Sequence, residues 1–156
     1  MKSKGFTLIE LLVTLAVMVI LATVAVPGFQ RMMAVNRVVA DYNEVLSGLN
    51  FARSEAVKRR APVQFVAANN GSWTYVVSVV GGDDLRVRRG RDGRTSLSQG
   101  TVVFNALGRQ ESCTAPGSCV FSITSEFSGI DDRGAQISIM GRVGRAPDTP
   151  AEEVEE

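Results

Sequence analysis

The residues that could do chemistry are few, and their types narrow the choices quickly. The 156 residues include no histidine, which removes His-based nucleophilic triads and makes most zinc sites untenable. The two cysteines, Cys113 and Cys119, cannot complete a four-ligand zinc site and lack the redox C-x-x-C spacing. They fit a disulfide closing the loop Cys113-Thr114-Ala115-Pro116-Gly117-Ser118-Cys119, which needs an oxidising compartment; two free buried thiols are the other reading. Asp83, Asp84, Asp92, Asp131 and Asp132 are hard oxygen donors, yet they do not follow the EF-hand pattern, and acids in turns are ordinarily just solvated. Gly81-Gly82 lacks the P-loop pattern. No catalytic residue, metal or cofactor is expected, and an enzyme anchored by one helix is disfavoured.

Two sets of charges remain. Glu10 is the one charged residue in the 21-residue run from Phe6 to Val26. A carboxylate in an apolar helix is costly unless it is paired or snorkels to the headgroups. The arginines are the second set: Arg86, Arg88, Arg89, Arg91 and Arg94 in one stretch, Arg142 and Arg145 in another. Clustered arginines suffice to neutralise phosphates, but no aromatic residue stands beside them to stack on bases. A solvated basic hairpin is the favoured reading, and nucleic-acid binding the lesser one.

The elements that position these groups follow from the hydropathy pattern. As a helix, 21 residues rise about 31 Å at ~1.5 Å per residue, close to the hydrocarbon thickness of a bilayer. Lys2 and Lys4 precede the run with no acid beside them, so the positive-inside rule keeps the N-terminus cytoplasmic and sends the rest outward. Ala22, Ala25 and Pro27 loosely imitate a signal-peptide cleavage site, but the run is long, carries Glu10 near its start and continues into a helical pattern. Pro27, followed by Gly28, deprives the Thr23 carbonyl of its partner, so a kink or loosened helix is expected there. Val35, Val38, Val39, Tyr42, Val45, Leu46, Leu49, Ala52 and Ala56 then recur at helical spacing, with Asn36, Arg37, Asp41, Asn43, Glu44, Asn50, Arg53 and Glu55 between them. That is an amphipathic helix against a core, ending near Arg60 because Pro62 forbids continuation.

From Val63 the texture is strand and turn. Strands are expected at Val63–Ala67 and Trp73–Val80, joined through Asn69-Asn70-Gly71-Ser72, with Trp73, Tyr75, Val77 and Val79 on the buried face. Others are expected at Leu85–Arg89, Thr101–Asn105, Val120–Thr124 and Gln136–Met140. Net charge is only +1, but the end of the chain holds Asp148, Glu152, Glu153, Glu155 and Glu156 and no base, leaving a mildly basic body with a short acidic tail. Pro147 and Pro150 within it point to disorder.

Lys4-Gly5-Phe6-Thr7-Leu8-Ile9-Glu10-Leu11-Leu12 resembles the processing site of type IV pilins and of the pseudopilins of type II secretion. The resemblance implies cleavage by a prepilin peptidase between Gly5 and Phe6, N-methylation of Phe6, and pairing of Glu10 with the Phe6 amine of a neighbouring subunit. It also makes Pro27 a point where the helix loosens on assembly. Phe51-Ala52-Arg53-Ser54-Glu55-Ala56-Val57-Lys58-Arg59 is similar to the signature of the GspH/FimT group of minor pilins and pseudopilins, and Val103-Phe104-Asn105-Ala106-Leu107-Gly108 to a strand-and-turn segment of that group. Here Ala52 and Ala56 are read as small residues where helix meets sheet, and Arg53 as a partner for nearby carboxylates.

The implied fold is α+β, a long N-terminal transmembrane helix packed on a small antiparallel sheet domain. The expected divisions are a leader at 1–5, a membrane and assembly half-helix at 6–27, an amphipathic half-helix at 28–61, a periplasmic β-rich domain at 62–145 and an acidic tail at 146–156. The implied partners are other pilins or pseudopilins, the prepilin peptidase and an inner-membrane assembly platform. The implied place is the bacterial inner membrane, single-pass, with the domain in the periplasm, and the implied role is a non-catalytic subunit of a type II secretion pseudopilus or a type IV pilus. Some FimT-like minor pilins bind DNA through a C-terminal Gly-Arg-x-Arg segment; Gly141-Arg142-Val143-Gly144-Arg145 departs from it by an extra residue.

Overall fold

The computed structural model describes residues 6–147. The leader at 1–5, Gly5 included, and the tail from Asp148 onward lie outside the described residues.

One helix, α1 (Leu8–Arg59), is 52 residues long. Nothing from Leu8 to Met33 is buried against the rest of the chain. Beyond that point a stripe turns inward at Ala34, Val38, Tyr42, Val45, Gly48, Leu49, Ala52, Glu55 and Ala56, spaced three and four apart as one face of a helix requires. The stripe differs from the expected one: Gly48 joins it while Val39 and Leu46 are only half-buried. Val35 is exposed and Ala34 takes the inward position, and Glu55, expected on the polar face, is buried. The helix ends as Arg60 enters the left-handed region at φ 53°. Its N–H reaches Val57 O, and the Ala61 N–H reaches back to Ala56 O, the paired bonds that satisfy the last carbonyls of a helix.

Among the described residues, the rest of the chain forms nine strands in two antiparallel sheets. The first has the order β3-β2-β1-β5-β6, built from β1 (Val63–Asn69), β2 (Trp73–Val79), β3 (Asp84–Arg89), β5 (Gly100–Phe104) and β6 (Gln110–Cys113). The second has the order β4-β7-β8-β9, built from β4 (Thr95–Leu97), β7 (Val120–Ser125), β8 (Arg133–Ile137) and β9 (Val143–Arg145). The strand expected at Gln136–Met140 forms earlier, as β8. Ser138–Met140 are taken instead by the turn into β9, which Gly141 N–H→Ser138 O closes at 2.7 Å.

Alternation sets the buried face of β2, where Trp73, Tyr75 and Val77 point inward. Phe65 joins the layers: its ring stacks on Tyr75 with centroids 4.8 Å apart and meets Phe121 of the second sheet edge-on at 5.2 Å. Leu49, Ala52 and Ala56 of α1 are fully buried in the same core. Helix α1 therefore packs on both sheets.

Polar contacts fix the rotation of α1 about its axis. Arg31 Nη2 donates to Gly129 O at 3.1 Å. Arg37 pairs with Asp92 at 3.4 Å, and Asp41 accepts from the Thr95 hydroxyl. Glu44 accepts from the Tyr75 hydroxyl at 2.8 Å and pairs with Arg88 at 3.3 Å. Burial, reinforced by Glu44, holds the Tyr75 phenol well above its ordinary pKa, so it stays a neutral donor. Gly48 is the point of closest approach: a β-carbon there would lie 2.6 Å from the Tyr75 ring.

Candidate assembly interface

The N-terminal end of α1 is built by a capping residue. Thr7 is extended (φ −85°, ψ 151°), and its Oγ1 accepts the Glu10 N–H at 3.3 Å. The expected helix start at Phe6 moves accordingly: Phe6 lies just outside the helix and is 80% exposed. The Thr7-x-x-Glu10 spacing is the sequence signal for this cap. Glu10 falls in the first turn, where the positive end of the helix dipole favours a carboxylate. Phe6 and Glu10 are thus presented together at one end of an otherwise apolar rod.

Every apolar side chain from Leu8 to Val26 is exposed in the isolated chain. A continuous apolar surface of that length must be covered by lipid or by other helices. The hydroxyls within it are satisfied locally: Thr14 Oγ1 donates to Leu11 O at 2.9 Å and Thr23 Oγ1 to Ile20 O at 2.7 Å. At Pro27, where a kink or loosening was expected, helix continues on both sides.

The far end of α1 gathers the Phe51–Arg59 segment. Ala52 and Ala56 are fully buried against the sheets. Phe51 carries the Arg86 guanidinium 3.8 Å from its ring centroid, a cation–π contact. Arg53, expected to find a carboxylate, instead donates from Nε to the Gly108 carbonyl at 3.1 Å. Glu55 accepts from Arg59 at 2.7 Å and Lys58 at 3.4 Å, and the Arg59 hydrogen bond, with help from Lys58, holds its carboxyl below the usual range. The turn after β5 is held by Asn105, whose Oδ1 accepts from the N–H groups of Leu107 and Arg109.

The arginines do not converge. Arg86 lies over Phe51, Arg88 pairs with Glu44, and Arg89 Nε donates to Ser72 Oγ at 2.9 Å. These three are on β3, one edge of the first sheet. Arg91 and Arg94 lie in the loop leading to β4, which packs beside β1 and β2. Arg142 and Arg145 flank and end β9, the far edge of the second sheet, beside the β6 end of the first through Gln110 N–H→Ile139 O. The two groups thus occupy opposite margins of the domain.

Cys113 and Cys119 are joined by a disulfide. It ties the end of β6 in the first sheet to the start of β7 in the second.

The family model for type II transport protein GspH matches residues 41–141, well over half of the chain. The chain belongs to the GspH family. A model of the prokaryotic N-terminal methylation motif matches residues 1–26, the segment that holds Gly5, Phe6 and Glu10. Two crystal structures of the type IV minor pilin FimU of Pseudomonas aeruginosa share the fold at 22% identity. One gives a TM-score of 0.59, covering 76% of this chain and 94% of FimU; the other gives 0.54, covering 73% and 96%. At that identity the likeness is one of fold. No curated protein matches the chain.

As a GspH-family member the chain is a structural, pilin-type subunit, whose family implies assembly with other pilins and processing by prepilin peptidase. Its apolar helix and prepilin-type motif fit anchoring in the inner membrane. The GspH match runs from Asp41 to Gly141, so it spans most of the packed part of α1 and strands β1 to β8. Among the described residues no group of three or more His, Cys, Asp or Glu is placed to hold a metal ion.

Proposed function

We propose that this chain is a minor pilin or pseudopilin, cut between Gly5 and Phe6 and methylated on the Phe6 amine. It enters a filament through α1, with Glu10 pairing to the Phe6 amine of a neighbour. One observation carries the reading: a single helix presents Phe6 and Glu10 at one end, is apolar and uncovered for its first half, and forms the spine of the core for its second. Methylation keeps the amine charged, so it remains a partner for a carboxylate. The pairing removes the cost of a lone charge among apolar helices. A filament subunit, not a DNA receptor, is the reading the arginines support, because they are dispersed to opposite margins and Arg86, Arg88 and Arg89 among them are engaged within the domain.

The test is Glu10→Leu in the native host. The variant is expected to be processed and membrane-inserted as wild type but to enter filaments poorly. Normal incorporation would sink the role given to Glu10. A deletion strain scored for both exoprotein secretion and twitching motility separates the pseudopilus from the pilus. For nucleic acid, a gel shift with the intact protein in detergent across a salt series is expected to show no retained binding at low salt.

A further inference from the structure

A groove of about 470 Å³ opens where α1 leaves its apolar span, between the helix and the β7–β8 loop. Phe29, Met33 and Phe127 give its lining apolar surface, and Arg94 and Glu126 give it charge. Three observations point to an occupant. The first is height. From Val26, the helix rises about 5 Å to Phe29 and about 10 Å to Met33 at ~1.5 Å per residue. The headgroup layer is about 5–8 Å deep on each face of a bilayer, so Phe29 lies within it and Met33 just above it. The loop is held down at that level by Arg31 Nη2→Gly129 O.

The second is exposure. Phe29, Met33 and Phe127 are 60%, 47% and 42% exposed, and Phe29 and Met33 follow the exposed Val26 at helical spacing. The third is charge. Arg94 and Glu126 are neighbours across the ladder, with Glu126 N–H→Arg94 O at 2.9 Å. Yet their side chains form no ion pair with each other, and neither enters an ion pair elsewhere among the described residues. Arg37, also on the wall, is engaged by Asp92.

From these we infer that the groove seats a zwitterionic phospholipid headgroup of the ethanolamine type, with the phosphate on Arg94, the ammonium on Glu126 and the glycerol end of the lipid at Phe29, the lowest residue of the apolar lining. A cation and an anion side by side, unpaired, match a ligand that carries both charges. A guanidinium is suited to phosphate and a carboxylate to ammonium. The seat would hold the domain against the membrane before the subunit leaves it. The inference rests on membrane insertion of α1 and not on filament assembly.

The experiment uses the full chain carrying Phe127→Trp in nanodiscs, with shallow-brominated acyl chains as quencher and the buried Trp73 signal of the unsubstituted protein subtracted. In phosphatidylethanolamine discs the added tryptophan is expected to lose at least half its emission. Arg94→Gln and Glu126→Gln are each expected to restore most of it. Quenching in phosphatidylglycerol discs that depends on Arg94 alone and exceeds that in phosphatidylethanolamine overturns the zwitterionic assignment. No quenching in any lipid, or quenching indifferent to both substitutions, overturns the site. A chain that co-purifies with discs and assembles normally in cells but stays unquenched defeats only this inference, whereas failure to enter discs defeats the anchoring reading as well.

Discussion

The guanidinium of Arg53 and the carbonyl of Gly108 meet at 3.1 Å, and the same carbonyl oxygen lies 1.8 Å from where a β-carbon on Gly141 would sit. Helix, β5–β6 turn and β8–β9 turn therefore converge on one peptide group. Gly141→Ala is expected to destabilise the folded chain by roughly 3 kcal/mol, since backbone clash and a left-handed φ of 77° act together. Urea unfolding in detergent checks this; a change within error would mean the turns separate at little cost.

Gly48→Ala sets two effects against each other. Alanine favours a helix interior over glycine by about 1 kcal/mol, while driving a methyl into the Tyr75 ring at 2.6 Å costs about 1–3 kcal/mol. Because Tyr75 is fully buried and bonded to Glu44, it cannot swing away cheaply. The variant is expected to be less stable than wild type by thermal melting, and a raised melting temperature would show that the ring yields.

Removing the disulfide with Cys113→Ser and Cys119→Ser is expected to cost roughly 2 kcal/mol, the chain-entropy value for so short a loop. The bridge ties one sheet to the other, so hydrogen exchange should rise in β6 and β7 before it rises in β1 and β2. Uniform acceleration would contradict that order.

Glu55 gives a pH signature. Its carboxyl titrates below its ordinary value in the folded chain because Arg59 and Lys58 hold the charge. The folded state therefore binds fewer protons than the unfolded one in acid, and stability rises with pH there. The contribution is fully present above the ordinary carboxylate range and is lost as pH falls through the depressed folded value. Glu55→Gln is expected to flatten the acid limb of a melting-temperature profile measured between neutral and strongly acidic pH. An unchanged slope would show that the pairing is solvent-screened into insignificance.

Much of this architecture is readable from local pattern. The apolar run, the amphipathic stripe through Leu49 and Ala52, and the alternation of Trp73, Tyr75 and Val77 each follow from a period that one element imposes on its own residues. What escaped is non-local. β4, β6 and β9 are short and polar, and they become strands only because a partner ladder waits for them, so their places could not be read in advance. The partner of Arg53 was unreadable because a backbone carbonyl leaves no mark on composition. Likewise nothing near Glu44 announces Tyr75, or near Asp41 announces Thr95. The Thr7 cap, by contrast, is written in plain spacing beside Gly5 and Phe6, the residues of the proposed processing site.

The polar contacts along α1, from Arg31 to Arg53, span about 33 Å of helix at ~1.5 Å per residue, passing from the second sheet and its loops at Gly129 and Thr95 to the first sheet at Tyr75, Arg88 and Gly108. A filament pulled lengthwise would load each subunit along this rod. The contacts then lie in shear, sharing the force side by side, where a single attachment at one end would let them peel in succession. The domain is fastened to its axle along its whole length, a joint suited to a part that transmits tension and is never asked to let go.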